Sequence, residues 1–400
     1  MKVKSFISLE EAIGILNNRV NNLEKEKVLL LDGLNRIIAQ DIYSKIDNPP
    51  FHKSAMDGYA LIAGDLQKLK VIGKVYAGEV YSGTVTEGTA VKIMTGAPIP
   101  KGADAVIKQE DVTIDNDYIV LKRPVKKSEN ICKKGEDIAK GSLLIKKGKK
   151  LNYADIGILA SSGIRKIKVY KKPVVAFMST GDEVIDIDYD LNEGKIYNSN
   201  KYTILSRIEE LGYKVKDIKH IKDDFDKIGK YIEKVSKEVD LIITTGGASV
   251  GEKDLLKEAI DVARGEKLFW KINNIKPGSS VLCSKVNKSI VIGLSGNPTA
   301  ALTTFELLAK TTLEKLSGVK EIKLNREKAI LTQDMKKRSP KRRFLRGRVE
   351  VIDCKQYVSI TQIKSGNGIL SSALNSNCII EIEADSNEKH KGDLVNIIKL

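Results

Sequence analysis

Residues 241–254 read L-I-I-T-T-G-G-A-S-V-G-E-K-D, and they decide the fold class. The first five are apolar or β-branched, which predicts a buried strand, and a helical pattern begins at residue 254 and runs to residue 263. The glycines between them let backbone N–H groups approach an oxyanion next to a helix N-terminus. The stretch is therefore typical of a doubly wound α/β sheet, whose ligands bind at the carboxyl ends of the strands.

The same strand–loop–helix pattern recurs on both sides of this stretch. Predicted strands end in the loops S-T-G-D-E at 179–183 and S-G-N-P-T at 295–299. The loops match neither the P-loop nor G-x-G-x-x-G, and each one alone is typical of an ordinary turn. Three of them at one sheet edge favour a ligand that carries phosphate or a nucleotide. The other elements predicted here are strands at 174–178, 214–221 and 289–294, and helices at 202–211, 225–239 and 299–316.

The segments that flank the α/β part have mainly β-type patterns. Ser8 and Glu11 have capping-box spacing and begin an amphipathic helix at residues 9–20. Short apolar runs separated by Gly, Pro and Asp turns follow between residues 28 and 169, and strands are predicted again after residue 324. The predicted fold class is α/β plus β, in a multi-domain chain with a β-rich module, a doubly wound α/β domain and a C-terminal β domain.

Length and composition limit the class of protein. The 400 residues indicate two to four domains, and no apolar run approaches the roughly 18 residues that span a bilayer. The N-terminus lacks the apolar region of a secretory signal, and the four cysteines are too far apart for a zinc ribbon or a disulfide framework. A cytoplasmic location is therefore expected. The net charge of +16 comes from lysines spread along the chain, which favours a solvated surface and a small anionic ligand over nucleic acid or a membrane.

Carboxylates in and near the strand-end loops indicate a divalent cation. Asp182, Glu183 and Asp254 lie in these loops, and Asp223 follows another predicted strand. Mg²⁺ takes oxygen ligands and commonly bridges carboxylates and phosphates. For Asp223 a second interpretation, capping of the following helix, stays open.

Two lysines are candidates to neutralise phosphate or oxyanion charge. Lys271 and Lys276 lie in W-K-I-N-N-I-K-P-G at residues 270–278. In a chain this rich in lysine, any single lysine is expected to be solvated surface. The Pro-Gly pair after Lys276 distinguishes that residue, because it fixes a turn beside it.

Rigid turns in the β-rich part carry polar side chains. Residues 51–61 read F-H-K-S-A-M-D-G-Y-A-L. Gly58 allows a positive φ, so Asp57 is expected in a tight turn with its carboxylate exposed. M-T-G-A-P at 94–98 and K-G-E-D at 134–137 combine a hydroxyl or carboxylate with glycine in the same way. Such turns are expected to face another surface.

Together these motifs resemble the molybdopterin molybdenumtransferases, the MoeA-type family that includes the E domain of gephyrin. S-A-M-D-G-Y-A and T-G-G-x-S-V-G-x-x-D in one chain are highly specific, and the resemblance covers nearly the whole chain. The stretches that carry it are residues 49–60, 93–98, 135–137, 179–183, 196–200, 245–254, 275–278 and 296–298.

The resemblance implies a four-part subunit, in which the α/β part is a molybdopterin-binding-like domain. It implies an elongated homodimer with the active site at the subunit interface, where the β-rich module reaches the α/β cleft of the partner. The implied reaction inserts molybdate or tungstate into adenylylated molybdopterin and releases AMP, assisted by Mg²⁺. A molybdopterin adenylyltransferase is a further implied partner. The implied domains are a discontinuous linking domain at 1–45 and 145–172, a β-rich module at 46–144, the α/β domain at 173–322 and a C-terminal β domain at 323–400.

Matching the family's motifs also implies roles for individual residues. The implied catalytic residues are Asp57, Thr95, Asp137, Glu183, Asp254, Lys271 and Lys276. The residues implied to bind the molybdopterin substrate are Ser179, Thr180, Gly181, Gly246, Gly247, Ser249, Gly251, Ser295, Gly296 and Asn297. The implied metal ligands are Asp223, Asp254 and Glu183.

The chain departs from the family's usual pattern at four points. His52 replaces an acidic residue, Ser279 replaces a lysine, and Ser295 replaces a proline. The segment from Lys271 to Lys276 is one residue longer than usual. Two other functions stay open on sequence alone, namely adenylyl transfer onto molybdopterin and a non-catalytic scaffold like that of gephyrin.

Overall fold

The protein forms two compact units. The structure, a computed structural model, describes residues 4–247, 255–335, 338–361 and 369–400. The larger unit combines Met1–Glu26 with Tyr170–Leu400, and the smaller unit is Lys27–Val169. The smaller unit is therefore inserted into the sequence of the larger one.

The N-terminal segment of the larger unit consists of strand β1 (Lys4–Ile7) and helix α1 (Leu9–Arg19). Ser8 Oγ accepts a hydrogen bond from the Glu11 amide at 3.1 Å, and the Glu11 carboxylate accepts one from the Ser8 amide at 3.0 Å. These bonds satisfy N–H groups that have no partner within the first turn, so the helix begins there. The predicted capping box is confirmed.

Short strands and one helix make up the smaller unit. In chain order they are β2 (Lys25–Leu29), β3 (Ile42–Tyr43), β4 (Lys53–Ser54), β5 (Gly58–Leu61), β6 (Lys68–Val75), β7 (Thr89–Ile93), β8 (Ala105–Lys108), β9 (Val112–Asp115), β10 (Tyr118–Leu121), β11 (Ile131–Cys132), β12 (Leu143–Ile145), α2 (Tyr153–Ser161) and β13 (Lys166–Tyr170). Six strands form one sheet in the order β8-β5-β7-β6-β10-β9. The β-rich pattern predicted for this part is confirmed, except at α2. Asn152 and Asp155 cap that helix by reciprocal hydrogen bonds of 3.0 Å. Because Asn and Asp are also common in turns, these residues did not mark the start of a helix in the sequence.

The α/β part of the larger unit alternates strands with helices. Its strands are β14 (Val174–Thr180), β15 (Val184–Ile185), β16 (Ile196–Tyr197), β17 (Lys214–Ile221), β18 (Leu241–Thr245), β19 (Glu266–Ile272), β20 (Ile275–Lys276), β21 (Leu282–Val286) and β22 (Ser289–Leu294). Its helices are α3 (Ser199–Glu210), α4 (Phe225–Val235), α5 (Leu255–Val262), α6 (Pro298–Thr304) and α7 (Lys310–Leu316), with the π-helical turn Phe305–Ala309 between the last two. Among the described residues, no helix is long and apolar enough to cross a bilayer.

Seven strands form the central sheet, in the order β1-β19-β21-β22-β18-β14-β17. Strand β21 runs antiparallel to both neighbours, and the other pairings are parallel. The carboxyl ends of β14, β18, β22 and β19 therefore lie at one edge. One buried apolar cluster packs α1, α3, α6 and α7 against the sheet, and a second packs α4 and α5. The predicted doubly wound sheet is confirmed, and β1 with the β19–β21 hairpin extends it beyond the predicted strands.

A small β domain completes the larger unit, as predicted. Its strands are β23 (Arg326–Leu331), β24 (Arg342–Ile352), β25 (Lys355–Ile360), β26 (Cys378–Ile382) and β27 (Leu394–Lys399). They pair in the order β24-β25-β23-β27-β26, and β26 pairs again with β24. The sheet is thus closed on itself, which leaves these strands without a free edge. Strand β20 joins it by pairing with β24.

Candidate functional site

Three loops meet at the carboxyl edge of the central sheet. Strands β14, β18 and β22 are parallel neighbours, so the loops that follow Thr180, Thr245 and Leu294 lie side by side. The Gly246 amide donates to the Leu294 carbonyl at 3.3 Å. A Cβ placed on Gly296 would lie 3.7 Å from the Gly246 Cα. The sheet therefore brings together the three loops that the sequence predicted at its edge.

Two glycines in the middle loop have backbone conformations that side chains disfavour. Gly246 has φ +91° and Gly247 has φ +68°. A Cβ on Gly246 would lie 2.6 Å from both the carbonyl oxygen and Oγ1 of Thr180. Thr180 Oγ1 is itself buried and has no hydrogen-bond partner within the part of the chain described. An unpaired buried hydroxyl beside exposed backbone is a polar group available to a ligand.

The first loop bends back on itself at Gly181, where φ is +129°. A Cβ there would lie 2.8 Å from the Glu183 carboxylate, so the absence of a side chain lets that carboxylate pack against the loop. Ser179, one of the residues predicted to bind substrate, is 2% exposed. Its Oγ accepts from Asn198 Nδ2 at 2.8 Å and lies 3.0 Å from His220 Nδ1. The hydroxyl of Ser179 is thus occupied within the protein, whereas that of Thr180 is not.

The third loop leads into α6, which begins at Pro298, one residue before the range predicted for this helix (299–316). The Asn297 side chain caps the helix by accepting from the amides of Thr299 and Ala300 at 3.1 and 3.2 Å. Ser295 Oγ accepts from the Asn297 amide at 3.2 Å. Asn200 Nδ2 donates to the Gly296 carbonyl at 2.7 Å and so links this loop to α3.

Carboxylates lie beside the first loop. Burial, followed by the negative charges of Asp182 and Glu183, raises the pKa of Asp223 above its usual range. The Asp223 amide lies 3.4 Å from Asp182 Oδ1. Asp224, not Asp223, caps α4, since its Oδ1 accepts from the Lys227 amide at 3.0 Å. The capping interpretation of Asp223 is therefore wrong, and its carboxylate stays near the other two.

The cation site predicted here is only partly within the described residues. Asp254 lies outside them, as do Ser249 and Gly251 of the substrate-binding set. The described residues contain no group of three His, Cys, Asp or Glu side chains that could hold a metal ion by themselves.

The two candidate lysines differ in their surroundings. Lys276 is exposed at the end of β20, as expected of a lysine. Lys271, in contrast, is only 6% exposed, so the expectation of a solvated side chain is wrong for this residue. Its ammonium lies 3.8 Å from the centroid of the Trp270 ring. Lys271 has φ +62° and Asn274 has φ +60°, which places two left-handed residues in the segment that carries the extra residue.

The smaller unit presents the Asp57 turn. Asp57 Oδ1 accepts from the backbone amide of Thr95 at 2.7 Å and from its hydroxyl at 2.8 Å. These bonds, the backbone one first, hold the pKa of Asp57 below its usual range. Asp57 and Thr95 are both exposed, as predicted. Gly58, however, is not left-handed; a Cβ there would lie 1.8 Å from the Ile107 carbonyl oxygen, so glycine is required by the close approach of β8.

Two other turn residues of the smaller unit are paired locally. Asp137 is exposed, and its Oδ2 accepts from Asn48 Nδ2 at 3.2 Å. His52, which stands where the family usually has an acid, accepts from the Lys134 amide through Nδ1 at 3.2 Å. Both contacts tie the 134–137 turn to the segment before β4.

One further candidate for anion binding, Arg346, could not be identified from the sequence. Arg346 on β24 is 5% exposed, and its Nε and Nη2 have no hydrogen-bond partner among the described residues. Burial lowers its pKa, and the nearby charge of Glu306 opposes this effect. A buried guanidinium with unused donors is suited to an anion. The run R-R-F-L-R-G-R contains no signal that distinguishes this arginine from the other three.

Family models match three successive parts of the chain. Residues 7–163 match the MoeA N-terminal region (domain I and II), and residues 176–315 match a probable molybdopterin binding domain. Residues 328–400 match the MoeA C-terminal region (domain IV). The order of the three models agrees with the β-rich, α/β and β succession of the fold.

Similar proteins and structures cover nearly the full length. The molybdopterin molybdenumtransferase of Staphylococcus aureus (strain MSSA476) is 36% identical over 98% of this chain and 95% of its own length. That of Haemophilus influenzae (strain ATCC 51907 / DSM 11121 / KW20 / Rd) is 37% identical over 94% of this chain and 93% of its own. The crystal structure of the molybdopterin biosynthesis moeA protein from Pyrococcus horikoshii OT3 superposes with a TM-score of 0.82 at 32% identity, covering 99% of this chain and 100% of that one. The chain therefore belongs to the MoeA family of molybdopterin molybdenumtransferases, which are transferases of molybdenum cofactor biosynthesis.

Proposed function

We propose that this protein inserts molybdate or tungstate into adenylylated molybdopterin and releases AMP. One observation carries the proposal: the ends of three parallel strands bring two left-handed glycines next to the Thr180 hydroxyl, which lacks a partner among the described residues. Glycine loops at the carboxyl ends of parallel strands suit a ligand with phosphate groups. An adenylylated pterin phosphate is such a ligand, and a separate adenylyltransferase would supply it.

The chemistry requires two anions to be held together while protons move. Two thiols of molybdopterin replace one oxide of the metal oxyanion, and that oxide leaves as water with both thiol protons. Water then cleaves the phosphoanhydride, and AMP leaves. The protein must therefore orient the two anions, reduce their repulsion and carry protons from sulfur to oxygen.

The larger unit supplies the groups that bind the anions. The Gly246 amide is bonded to the Leu294 carbonyl, so Gly247 is the glycine of this pair that offers its backbone N–H to the phosphates, and Thr180 Oγ1 donates a further hydrogen bond. Lys276 and Lys271 offset the negative charge of the oxyanion, because an ammonium interacts strongly with an oxyanion once water is excluded. The exposed position of Lys276 at the end of β20 supports this role.

The carboxylates beside these loops fit a divalent cation. Burial, and then the negative charges of Asp182 and Glu183, raise the pKa of Asp223, and a divalent cation bound among these carboxylates would offset that repulsion. Glu183 and Asp223 would hold the ion together with Asp254, the third metal ligand implied by the family resemblance. When bound, Mg²⁺ neutralises charge on the phosphoanhydride that is cleaved.

The Asp57 turn completes the site from a second subunit of a homodimer in this proposal. Asp57 Oδ1 is occupied by Thr95, which leaves Oδ2 to take a thiol proton and pass it to the departing oxide. The depressed pKa of Asp57 keeps this carboxylate ionised between proton transfers. Its exposure within its own unit supports a role toward another surface.

The direct test is an AMP-release assay with the full chain. Adenylylated molybdopterin, Mg²⁺ and either molybdate or tungstate are incubated with the protein, and AMP is quantified by chromatography. Release that depends on the oxyanion is expected, and the two oxyanions compared side by side give the metal preference. Consumption of ATP with free molybdopterin, without oxyanion-dependent release, would instead identify an adenylyltransferase.

Mixed dimers test whether two subunits share one site. Asp57→Asn and Lys276→Ala subunits are each expected to be inactive alone. A heterodimer of the two has one site with both changes and one site with neither, so mixing equal amounts restores roughly a quarter of the wild-type rate of AMP release. Absence of any recovery, in a mixture whose subunits demonstrably exchange, contradicts the shared site.

Asp223→Asn is expected to stabilise the protein while it lowers cation-dependent activity. The pKa of Asp223 is higher in the folded state than in the unfolded state. The free energy of unfolding therefore decreases as pH rises through the folded pKa and the carboxylate becomes ionised. The asparagine variant lacks this loss, so near pH 7 its free energy of unfolding is higher by up to about 1 kcal/mol, given the exposure of the group. Urea denaturation without divalent cations, from about pH 4 to about pH 7, measures the difference.

The neighbouring aspartate provides a matched control. Asp224 has its pKa lowered by the Lys227 amide that it caps, then by the Lys227 side chain. Asp224→Asn is therefore expected to lower the free energy of unfolding near neutral pH, the opposite sign. Equal effects of the two substitutions would contradict the assignment of repulsion to Asp223.

A further inference from the structure

Trp270 is the one tryptophan of the chain, and two ammonium groups lie near its ring. Lys271 Nζ is 3.8 Å from the ring centroid, and Lys257 Nζ from α5 is 4.5 Å from it. Phe6 on β1 contacts the indole edge-on, with ring centroids 6.0 Å apart and planes at 64°. Lys271 Nζ is also 5.1 Å from the Phe6 ring. The two rings and the Lys271 ammonium thus form one cluster.

Lys271 is an unusual buried cation. The residue is only 6% exposed, and among the described residues no carboxylate pairs with its ammonium. Burying an unpaired charge is unfavourable. The faces of the two aromatic rings are the favourable contacts that the structure provides for it, and such contacts are strongest where water is excluded.

The indole is positioned by its ring and not by its polar atom. Trp270 Nε1 is buried and has no hydrogen-bond partner in the described part of the chain. Strand β19 pairs with β1 on one side and with β21 on the other. Trp270 lies opposite Ser5 in the first pairing and opposite Leu282 in the second. The backbone is left-handed at the next residue, Lys271, which lies near the carboxyl end of β19.

We propose that Trp270, with Phe6, is a positioning residue that holds the Lys271 ammonium where none of the described carboxylates pairs with it, so that its charge is available to the oxyanion substrate. The inference rests on the proposed function, because molybdate or tungstate is the anion concerned. A carboxylate partner would neutralise this lysine before the substrate arrived. Aromatic faces stabilise the cation and leave its charge uncompensated.

Steady-state kinetics with molybdate test the positioning role. Trp270→Leu is expected to raise KM for molybdate about tenfold with little change in kcat. Without the indole ring, the Lys271 ammonium is no longer held in position to contact the free oxyanion. Trp270→Phe keeps an aromatic face and is expected to restore most of the affinity. In a Lys271→Met background, Trp270→Leu is expected to have no further effect on KM, since Trp270 acts through the lysine. Additive effects of the two substitutions would overturn the proposal.

A second readout does not depend on turnover. Because Trp270 is the only tryptophan, its emission is expected to change when molybdate alone is titrated into the full-length protein, and Lys271→Met is expected to abolish that change. Phe6→Leu alters an exposed side chain and keeps the fluorophore, and it is expected to weaken molybdate binding two- to threefold, roughly. Tyr118→Leu, which removes another lysine–aromatic contact at 4.9 Å, is the matched control and is expected to change neither quantity.

The two readouts separate this inference from the proposed function. Oxyanion-dependent AMP release with an unchanged KM in Trp270→Leu and Phe6→Leu overturns the positioning role and leaves the function intact. Molybdate-dependent emission that requires Lys271, without any AMP release, supports the positioning role and overturns the function. An emission change that persists in Lys271→Met overturns the positioning role.

Discussion

Asp57→Asn is expected to lower the rate of molybdate-dependent AMP release by about 10²- to 10³-fold, the usual size of a lost proton-transfer group. Asparagine keeps an oxygen that can accept the two hydrogen bonds from Thr95, so the turn is preserved. What disappears is the carboxylate Oδ2, which asparagine replaces by an amide that cannot take a proton. The rate of AMP release at saturating substrate measures the effect, and KM is expected to change little.

The neighbouring threonine separates charge from orientation. Thr95→Val removes the hydroxyl donor at 2.8 Å but retains the amide donor at 2.7 Å, so Asp57 stays charged and less firmly oriented. A loss well below that of Asp57→Asn is expected. The result that would contradict the proton-transfer role is a wild-type rate in Asp57→Asn with an unchanged thermal unfolding profile.

Gly246→Ala is expected to reduce AMP release by at least about 10²-fold, because a displacement of 1 Å at a reacting centre has an effect of that size. The added methyl would lie 2.6 Å from the backbone carbonyl oxygen of Thr180, and backbone cannot move aside as a long side chain can. The loop must shift, and with it the Gly247 N–H group assigned to the phosphates. Binding of AMP or adenylylated molybdopterin, measured by calorimetry, is expected to weaken in parallel with the rate.

Gly148→Ala provides the control for backbone strain. Its φ of +89° nearly equals the +91° of Gly246, but a Cβ there has nothing within 4 Å. The two substitutions therefore share the left-handed strain, about 1–2 kcal/mol, and differ in the steric clash. Gly148→Ala is expected to lower stability by that amount and to leave AMP release unchanged. Equal activity losses would mean that strain alone, rather than the loop's approach to Thr180, explains Gly246→Ala.

Most of the sheet could be predicted because its strands carry strong local signals. The bounds of Leu241–Thr245 and Ser289–Leu294 follow from mainly apolar or β-branched runs between turn residues, and the more polar strand Lys214–Ile221 follows the helix-ending Gly212. Strand β1 could not be predicted, because four residues have too short a pattern and their pairing partner β19 is distant in the sequence. Tertiary pairing, and not local preference, creates that strand.

The site divides in the same way. The glycines and the proline at the strand ends could be recognised, because each meets a local backbone requirement. Gly246 adopts a positive φ, and Pro298 occupies the first turn of α6. The burial of Lys271 and Arg346 could not, because it depends on tertiary packing, such as the contact of Lys271 with Phe6 on β1. Gly58 illustrates a third case: the residue was singled out correctly, but the reason is contact with Ile107 and not its φ. The four-part domain boundaries and the residue roles stay predictions.

The insertion of the smaller unit into the larger one has a consequence for synthesis on the ribosome. The hydrogen bond from Asn273 Nδ2 to the Phe6 carbonyl joins residues 267 positions apart, so β1 emerges long before its neighbour β19 exists. At about 5–20 residues per second, the N-terminal strand waits for some tens of seconds. The Lys27–Val169 unit has all of its own sequence available during that interval. The nascent chain can thus complete its middle first, while its first strand has no partner and is open to other chains until β19 is made and pairs with it along one side.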